Sequence, residues 1–323
     1  MNNRALVAVF ALCACAWSEP VYAQAWIPAK GEGSVSVLFQ DLFVADHFMD
    51  GGARRDRGQI HSNTLFADVT YGVTDKLALT VGVPFMRSRY SGNAPHPTEQ
   101  DDKSAHYGFQ DLRFAARYNV LSGPVTLTPF VSVNLPTHGY EYFAHAAYGT
   151  RVREVEVGAY AGRLLSPALP NAFVQARYSY SFAERIAGIQ PNRSRLDLEF
   201  GYFLARSVRV FAIGSGYKTH GGIPLPDEGW RAMPEAYARH HDRIGRIRLL
   251  DAVTGVQVSL TKSLDVFGSY GRSLAGRNTH ALQRGVTIGA SWSFGQGLSS
   301  LILAESRPRS DGRGRMARCL CQK

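Results

Sequence analysis

Gly285-Val286-Thr287-Ile288-Gly289-Ala290-Ser291-Trp292-Ser293-Phe294 reads as a strand with one apolar and one polar face. Val286, Ile288, Ala290, Trp292 and Phe294 alternate with Gly285, Thr287, Gly289, Ser291 and Ser293. Successive side chains of an extended chain point to opposite faces, so a period of two separates a greasy side from a wet one. The same pattern recurs upstream. Leu112, Phe114, Ala116, Tyr118 and Val120 alternate with Asp111, Arg113, Arg117 and Asn119, and Leu196, Leu198, Phe200, Tyr202 and Leu204 alternate with Arg195, Asp197, Glu199, Gly201 and Phe203.

Twelve such segments are predicted, over residues 34–46, 59–73, 76–90, 108–120, 125–138, 151–165, 171–184, 193–205, 207–218, 243–261, 264–274 and 282–294. Most exceed the roughly five or six residues usual in globular sheets and suffice to cross a bilayer at a tilt, which takes about 9 to 11. Every second connection is tight: Thr74-Asp75, 121–124, 166–170, Ala205-Arg206 and Lys262-Ser263. Those between are longer and polar: 46–58, 91–107, 139–150, 185–192, 219–242 and a shorter one near Arg277. Short turns on one side and long loops on the other belong to an outer-membrane barrel. The expectation is therefore an all-β fold, a closed antiparallel transmembrane β-barrel of about twelve strands, with both chain ends on the periplasmic side. A soluble two-sheet sandwich is the alternative, but it does not need long strands with alternating loop lengths.

Composition agrees. Of 323 residues, 45% are hydrophobic and 32 are glycine, yet the longest apolar run, residues 5–17, has only 13 residues. A spanning helix needs about 18, so a helical membrane protein is excluded. That run belongs to a secretory signal: Arg4 precedes it, Val21-Tyr22-Ala23 follows it, and cleavage is expected before Gln24. Leu12-Cys13-Ala14-Cys15 loosely resembles a lipobox, but processing there would leave a very short apolar core. The expected organisation is a signal peptide at 1–23, a periplasmic lead at 24–33, the barrel at 34–294 and a basic, disordered periplasmic tail at 295–323. The formal charge of +10 suits an anionic membrane surface or solute better than nucleic acid, because arginine is spread along an exported chain. The four cysteines (13, 15, 319 and 321) sit at the two ends and frame no disulfide scaffold.

Several phrases resemble a known family. Gly72-Val73-Thr74-Asp75-Lys76-Leu77, Gly82-Val83-Pro84-Phe85, Gly108-Phe109-Gln110-Asp111-Leu112-Arg113 and Val133-Asn134-Leu135-Pro136-Thr137 are similar to recurrent pieces of the MetA-pathway of phenol degradation family. The closing strand resembles the C-terminal strand signal of bacterial outer-membrane proteins. The family resemblance covers most of residues 34–294 and implies a transporter-type outer-membrane barrel for small, often aromatic, compounds. It carries no catalytic residue. The chain departs from the pattern by continuing 29 residues beyond Phe294.

The polar strand faces place Asp68, Asp111, Arg113, Arg117, Glu154, Glu156, Arg177, Arg193, Arg195, Asp197, Glu199 and Asp251 in the interior, seven acids and five bases. These are the pore-lining candidates, either as a cross-strand ionic lattice that stiffens the wall or as the selectivity-setting lining of a narrow pore. A structural or adhesive barrel with a plugged lumen is the alternative to a channel. An enzyme is not expected. His61 and Ser62 are adjacent and so point to opposite faces, which defeats a proton relay between them. His240-His241-Asp242 stands at the end of a long loop with no apparent partner.

All ten histidines (47, 61, 96, 106, 138, 145, 220, 240, 241 and 280) fall in or beside the long connections. Solvated loop chemistry is the plain expectation. The sharper one is an extracellular mouth that captures or transports a transition metal, since imidazole suits such ions. Spacing alone offers His240, His241 and Asp242 as weak metal candidates, with Cys319 and Cys321 in the tail. Nothing indicates an organic cofactor. The expected partners are outer-membrane lipid, the barrel assembly machinery and a small-molecule solute, and the barrel is expected to be a monomer. Deleting residues 295–323 should leave membrane insertion intact, because the assembly signal ends at Phe294; heat-modifiable migration on detergent gels checks this.

Overall fold

The computed structural model describes residues 24–92, 96–226 and 228–295; the expected signal peptide and tail, Cys319 and Cys321 included, lie outside them. Thirteen strands form one antiparallel sheet that closes on itself: β1 (Gly33–Phe48), β2 (Arg54–Thr74), β3 (Leu77–Ser91), β4 (Ala105–Phe109), β5 (Asp111–Tyr118), β6 (Thr126–Pro136), β7 (Glu154–Leu164), β8 (Ala172–Ala183), β9 (Asn192–Ala205), β10 (Val208–His220), β11 (Arg248–Ser259), β12 (Leu264–Arg277) and β13 (Thr279–Phe294). β4 and β5 are one wall strand broken at Gln110, so the barrel has the twelve strands expected. The break lies beside Pro84 of β3, which has no N–H to donate across the ladder; the Gln110 amide donates instead to the Pro84 carbonyl at 3.1 Å.

Most strand boundaries fall within a few residues of the alternating segments. Two depart further. β2 begins at Arg54 rather than 59, extending its hairpin with β1. β11 begins at Arg248 rather than 243, because His241–Ile244 forms a helical turn whose Ile244 is fully buried against Val152, Ala183 and Ile186. Apolar residues drawn into a loop core imitate the period of a strand.

The alternation has the expected consequence. Val37, Phe39, Leu65, Leu79, Phe114, Val131, Leu198, Ile288 and Trp292 are exposed on the outer face. Ser34, Ser36, Gln40, Thr128, Ser132, Ser179, Thr287 and Ser291 are buried on the inner one. No described helix is long and apolar enough to cross a membrane.

The ring closes between β1 and β13, paired from Gly33–Phe294 to Phe48–Thr279 with a bulge near residues 43–46. Inside the seam the Ser36 and Ser291 hydroxyls meet at 2.8 Å. At its foot the Phe294 ring lies over Gly33, where a Cβ would come within 2.5 Å of the ring. Glycine there lets the terminal aromatic cover the start of the first strand.

Ile288 stands midway along β13 on the exposed face. Ile288→Arg should destabilise the folded barrel by about 2–4 kcal/mol, as a charge near the bilayer midplane does. Urea unfolding in lipid vesicles measures this, and Ser291→Lys on the opposite face should not show the lipid-depth penalty.

Candidate functional site

The lumen is occupied at both ends. At the end where the described residues begin and finish, residues 24–26 turn into the barrel. The Ala25 amide donates to Gln175 Oε1 at 2.6 Å, its carbonyl accepts from Thr128 Oγ1 at 2.6 Å, and Arg117 Nη1 donates to the Gln24 carbonyl at 3.2 Å. Ala25 is buried with Phe130 and Tyr160, with Trp26 packed beside them. Gly162 makes the room: a Cβ there would come within 2.7 Å of both Trp26 and Ala25. An apolar pair next to a barrel floor of aromatic rings leaves water for the reason any core does.

Above this segment runs an ionic ladder on β7, β8, β9 and β10. Arg177 Nη2 meets Glu156 Oε1 at 2.6 Å and its Nη1 meets Asp197 Oδ2 at 3.2 Å. Asp197 also binds Arg195 Nε at 2.9 Å and the Ser215 hydroxyl at 2.5 Å. Arg193 pairs with Glu154 at 2.8 Å, and Arg209 lies 3.9 Å from Glu199 while donating to Gln257 at 2.7 Å. The guanidinium of Arg177 also lies over the Phe130 ring at 5.1 Å. Partly buried ion pairs gain little net energy once desolvation is counted, so the ladder fixes the inward geometry more than it stabilises the wall.

The structure thus joins Glu156, Arg177, Arg195 and Asp197 in one network, with Arg193–Glu154 and Arg209–Glu199 as separate pairs on the same strands. It places the other candidates apart from it. Asp111 accepts the Tyr140 hydroxyl at 2.5 Å from a loop above, Arg117 holds the N-terminal segment, and Asp68 lies beside Gly82 with Arg113 adjacent. Asp251 is buried on β11, opposite Ser215. His61 and Ser62 diverge as their spacing requires: His61 Nε2 meets Asp41 at 2.7 Å and Ser62 Oγ meets Ser88 at 3.1 Å.

At the far end three loops fold inward. Loop 137–153 packs Ala146 against Leu42, Val44, Ile60, Tyr90 and Leu282 of the wall. Asp101, on the short helical turn η1 (Glu99–Asp101) within residues 96–104, holds it there. Its Oδ2 accepts from the amide and Nδ1 of His96 at 2.8 and 3.1 Å and from those of His145 at 3.0 and 2.9 Å, while Oδ1 accepts from the Ala146 amide at 2.9 Å. Burial would raise this carboxyl, yet the hydrogen bonds hold it well below the usual carboxylate range. Burial also lowers His96, which therefore remains a neutral imidazole at pH 7.

Loop 221–247 supplies the third group. Trp230 stacks on His96 at 5.1 Å, and His241 stacks on it at 5.3 Å. His241 Nδ1 contacts the Ala238 carbonyl at 2.9 Å and its Nε2 meets Asp242 at 3.3 Å. From the wall, His47 and His280 meet edge to face at 4.2 Å.

His241 and Asp242, weak candidates by spacing, therefore do have partners, whereas His240 turns aside to stack on Tyr142 at 5.7 Å. Five of the ten loop histidines, His47, His96, His145, His241 and His280, converge within the lumen instead of being solvated. Sequence reasoning did not find His96, Asp101 or His145 as a group, since 44 residues separate Asp101 from His145. The concentration of every histidine in the long connections was the available signal.

No family model matches the sequence, and no curated protein matches it. Solved structures do. An outer-membrane channel from Pseudomonas putida F1 aligns over 85% of this chain and 100% of its own at 14% identity, with a TM-score of 0.66. The NanC porin aligns over 80% of this chain and 98% of its own at 10% identity (TM-score 0.48), and the β domain of the Bordetella autotransporter BrkA over 81% and 99% at 16% identity (TM-score 0.48). At such identities the likeness is one of fold, and the fold is that of a bacterial outer-membrane β-barrel.

Proposed function

We propose that the protein is a porin-like outer-membrane channel through which small solutes pass or bind passively, and that it catalyses no reaction. The observation that carries this is the continuity of the charged lining. It runs from Asp111 and Glu154 beneath the inward loops, through Glu156, Arg177, Arg195 and Asp197, to Glu199, Arg209 and Arg117 beside the N-terminal segment. Inward charges set along the barrel's height suit the passage of a polar or ionic solute. The phrases shared with the MetA-pathway of phenol degradation family support membership of that family and, with it, small aromatic compounds as solutes. Against catalysis stands the divergence of His61 and Ser62. The barrel assembly machinery is the proposed route of insertion, and a monomer the proposed state.

A plugged structural barrel is the second reading, favoured by the segments that fill both ends of the lumen. Planar-bilayer recordings separate the two. The channel should show small, salt-dependent currents. Deleting residues 24–28 should raise the conductance about twofold or more by clearing the lower constriction, and Arg195→Gln or Glu156→Gln should shift ion selectivity without abolishing current. Silence in every salt, from the deletion variant as well, would establish the plugged barrel.

A further inference from the structure

The outer wall carries a row of cations that nothing on the wall balances. Lys218 of β10 stands directly opposite Arg248 of β11, and Arg248 directly opposite Arg277 of β12. All three are exposed on the outer face; a bulge at Leu274, which has no partner on β11, turns Arg277 outward. Side chains directly opposite have Cβ atoms about 4.5–5.5 Å apart, and like charges there repel. Arg272, opposite Ala252, is a fourth exposed cation on the same face. Among the described residues none of the four has a hydrogen-bonding or ionic partner. No acid shares the outward positions of β8 to β12. Elsewhere on the outer face an arginine does find one, Arg284 meeting Asp41 at 3.3 Å.

Next to the row the wall is hollowed. Lys218, Arg248 and Arg277 line a groove of about 420 Å³ together with Leu196, Gly216 and Leu250. A larger apolar groove of about 920 Å³ lies over Leu198, Phe200, Ala212, Gly214, Ala252 and Tyr270. Gly216 and Gly214 are successive outward positions of β10, so the first hollow runs into the second. Gly214 is not required by the backbone, since a Cβ there would meet nothing within 4 Å. Glycine inside a strand weakens it and often marks the close approach of another molecule. The row itself stands at the ends of β10, β11 and β12 that lead into the long connection 221–247 and the hairpin at Asn278. In outer-membrane barrels the long loops are on the extracellular side.

We propose that this surface binds one phosphorylated, multiply acylated glycolipid of the outer leaflet. A phosphate is held by Lys218, Arg248 and Arg277, and an acyl chain lies in the groove over Gly216 and Gly214. Guanidinium groups take phosphate oxygens in pairs and an ammonium group meets them as a point charge. Such a lipid supplies both the anion that the row lacks and the chain that an apolar hollow accepts. Free phosphate answers only the first need and a neutral lipid only the second. A second copy of this chain, packed face to face, would set another basic row against this one. The inference rests on the fold and not on the lumen, so it holds for an open or a plugged barrel.

Native mass spectrometry of the detergent-folded barrel, titrated with diphosphoryl lipid A, tests it. One lipid per barrel should be retained, with half-saturation at about 10 µM or below. Dephosphorylated lipid A and phosphatidylcholine should each be retained at least about tenfold more weakly. Lys218→Gln, Arg248→Gln and Arg277→Gln combined in one chain should weaken retention of diphosphoryl lipid A at least about tenfold. Gly214→Phe, which fills the groove, should weaken it at least about threefold. Lys76→Gln and Arg206→Gln, in the short turns, should leave it unchanged. Heat-modifiability confirms that each variant is folded, and the lipid series on the unaltered protein decides the matter if one is not. Equal retention of the phosphorylated and dephosphorylated lipids, unchanged retention in the row or groove variants, or an equal loss in the turn variants overturns the proposal. So does a two-barrel species that the combined row variant abolishes, which would make a second copy the occupant.

Discussion

Hydrocarbon offers no partner to a peptide N–H or C=O, and every other feature of this protein follows from meeting that requirement. A strand can be satisfied in lipid only when both of its edges are paired, so a sheet that crosses the membrane has to end where it began. Here the first and last strands meet along nearly their whole lengths. The seam is finished by a glycine that yields space to a terminal phenylalanine. Even Pro84, which removes a ladder donor, is met by a shift in its neighbour, at Gln110.

Once the ring exists, the inward face creates a second problem. Alternation that keeps Leu198 and Phe200 in lipid obliges Asp197 and Glu199 to point inside. The ladder through Arg177 pairs the charges at the middle of the inner wall, while Asp111 and Arg117 are met by a loop and by the segment at 24–26. The ends meet the problem differently. Aromatic rings near the base accept Ala25 and Trp26, and the apolar upper wall of β1, β2, β3 and β13 accepts a loop.

How much of this was legible in the sequence depends on how local the determinant is. Strand number, facing and the side of each long loop follow from a period of two and from loop length, both of which are local. The inward placing of carboxylates and guanidiniums such as Asp197, Glu199 and Arg177 follows from the same period. What escaped was everything set by loops returning to the wall. Nothing near Asp101 announces that it will meet His145, and the stretch around Ile244 imitates a strand because burial in a loop core selects the same residues. The seat of residues 24–26 in the lumen has no local signal, because their contacts, Gln175 above all, lie 150 residues away.

Asp101 ties two loops together, accepting two hydrogen bonds from His96 in its own loop and three from His145 and Ala146 in the other. Loops at the outer face of a bacterium are where antibodies and phage attach, and ordinarily they drift in sequence without harm. Here His96, Asp101 and Ala146 are turned inward, away from such attackers, and a substitution in one loop withdraws the support of the other. The two are bound to change together, so the mouth of this barrel should vary far less among strains than its exposed hairpin tips.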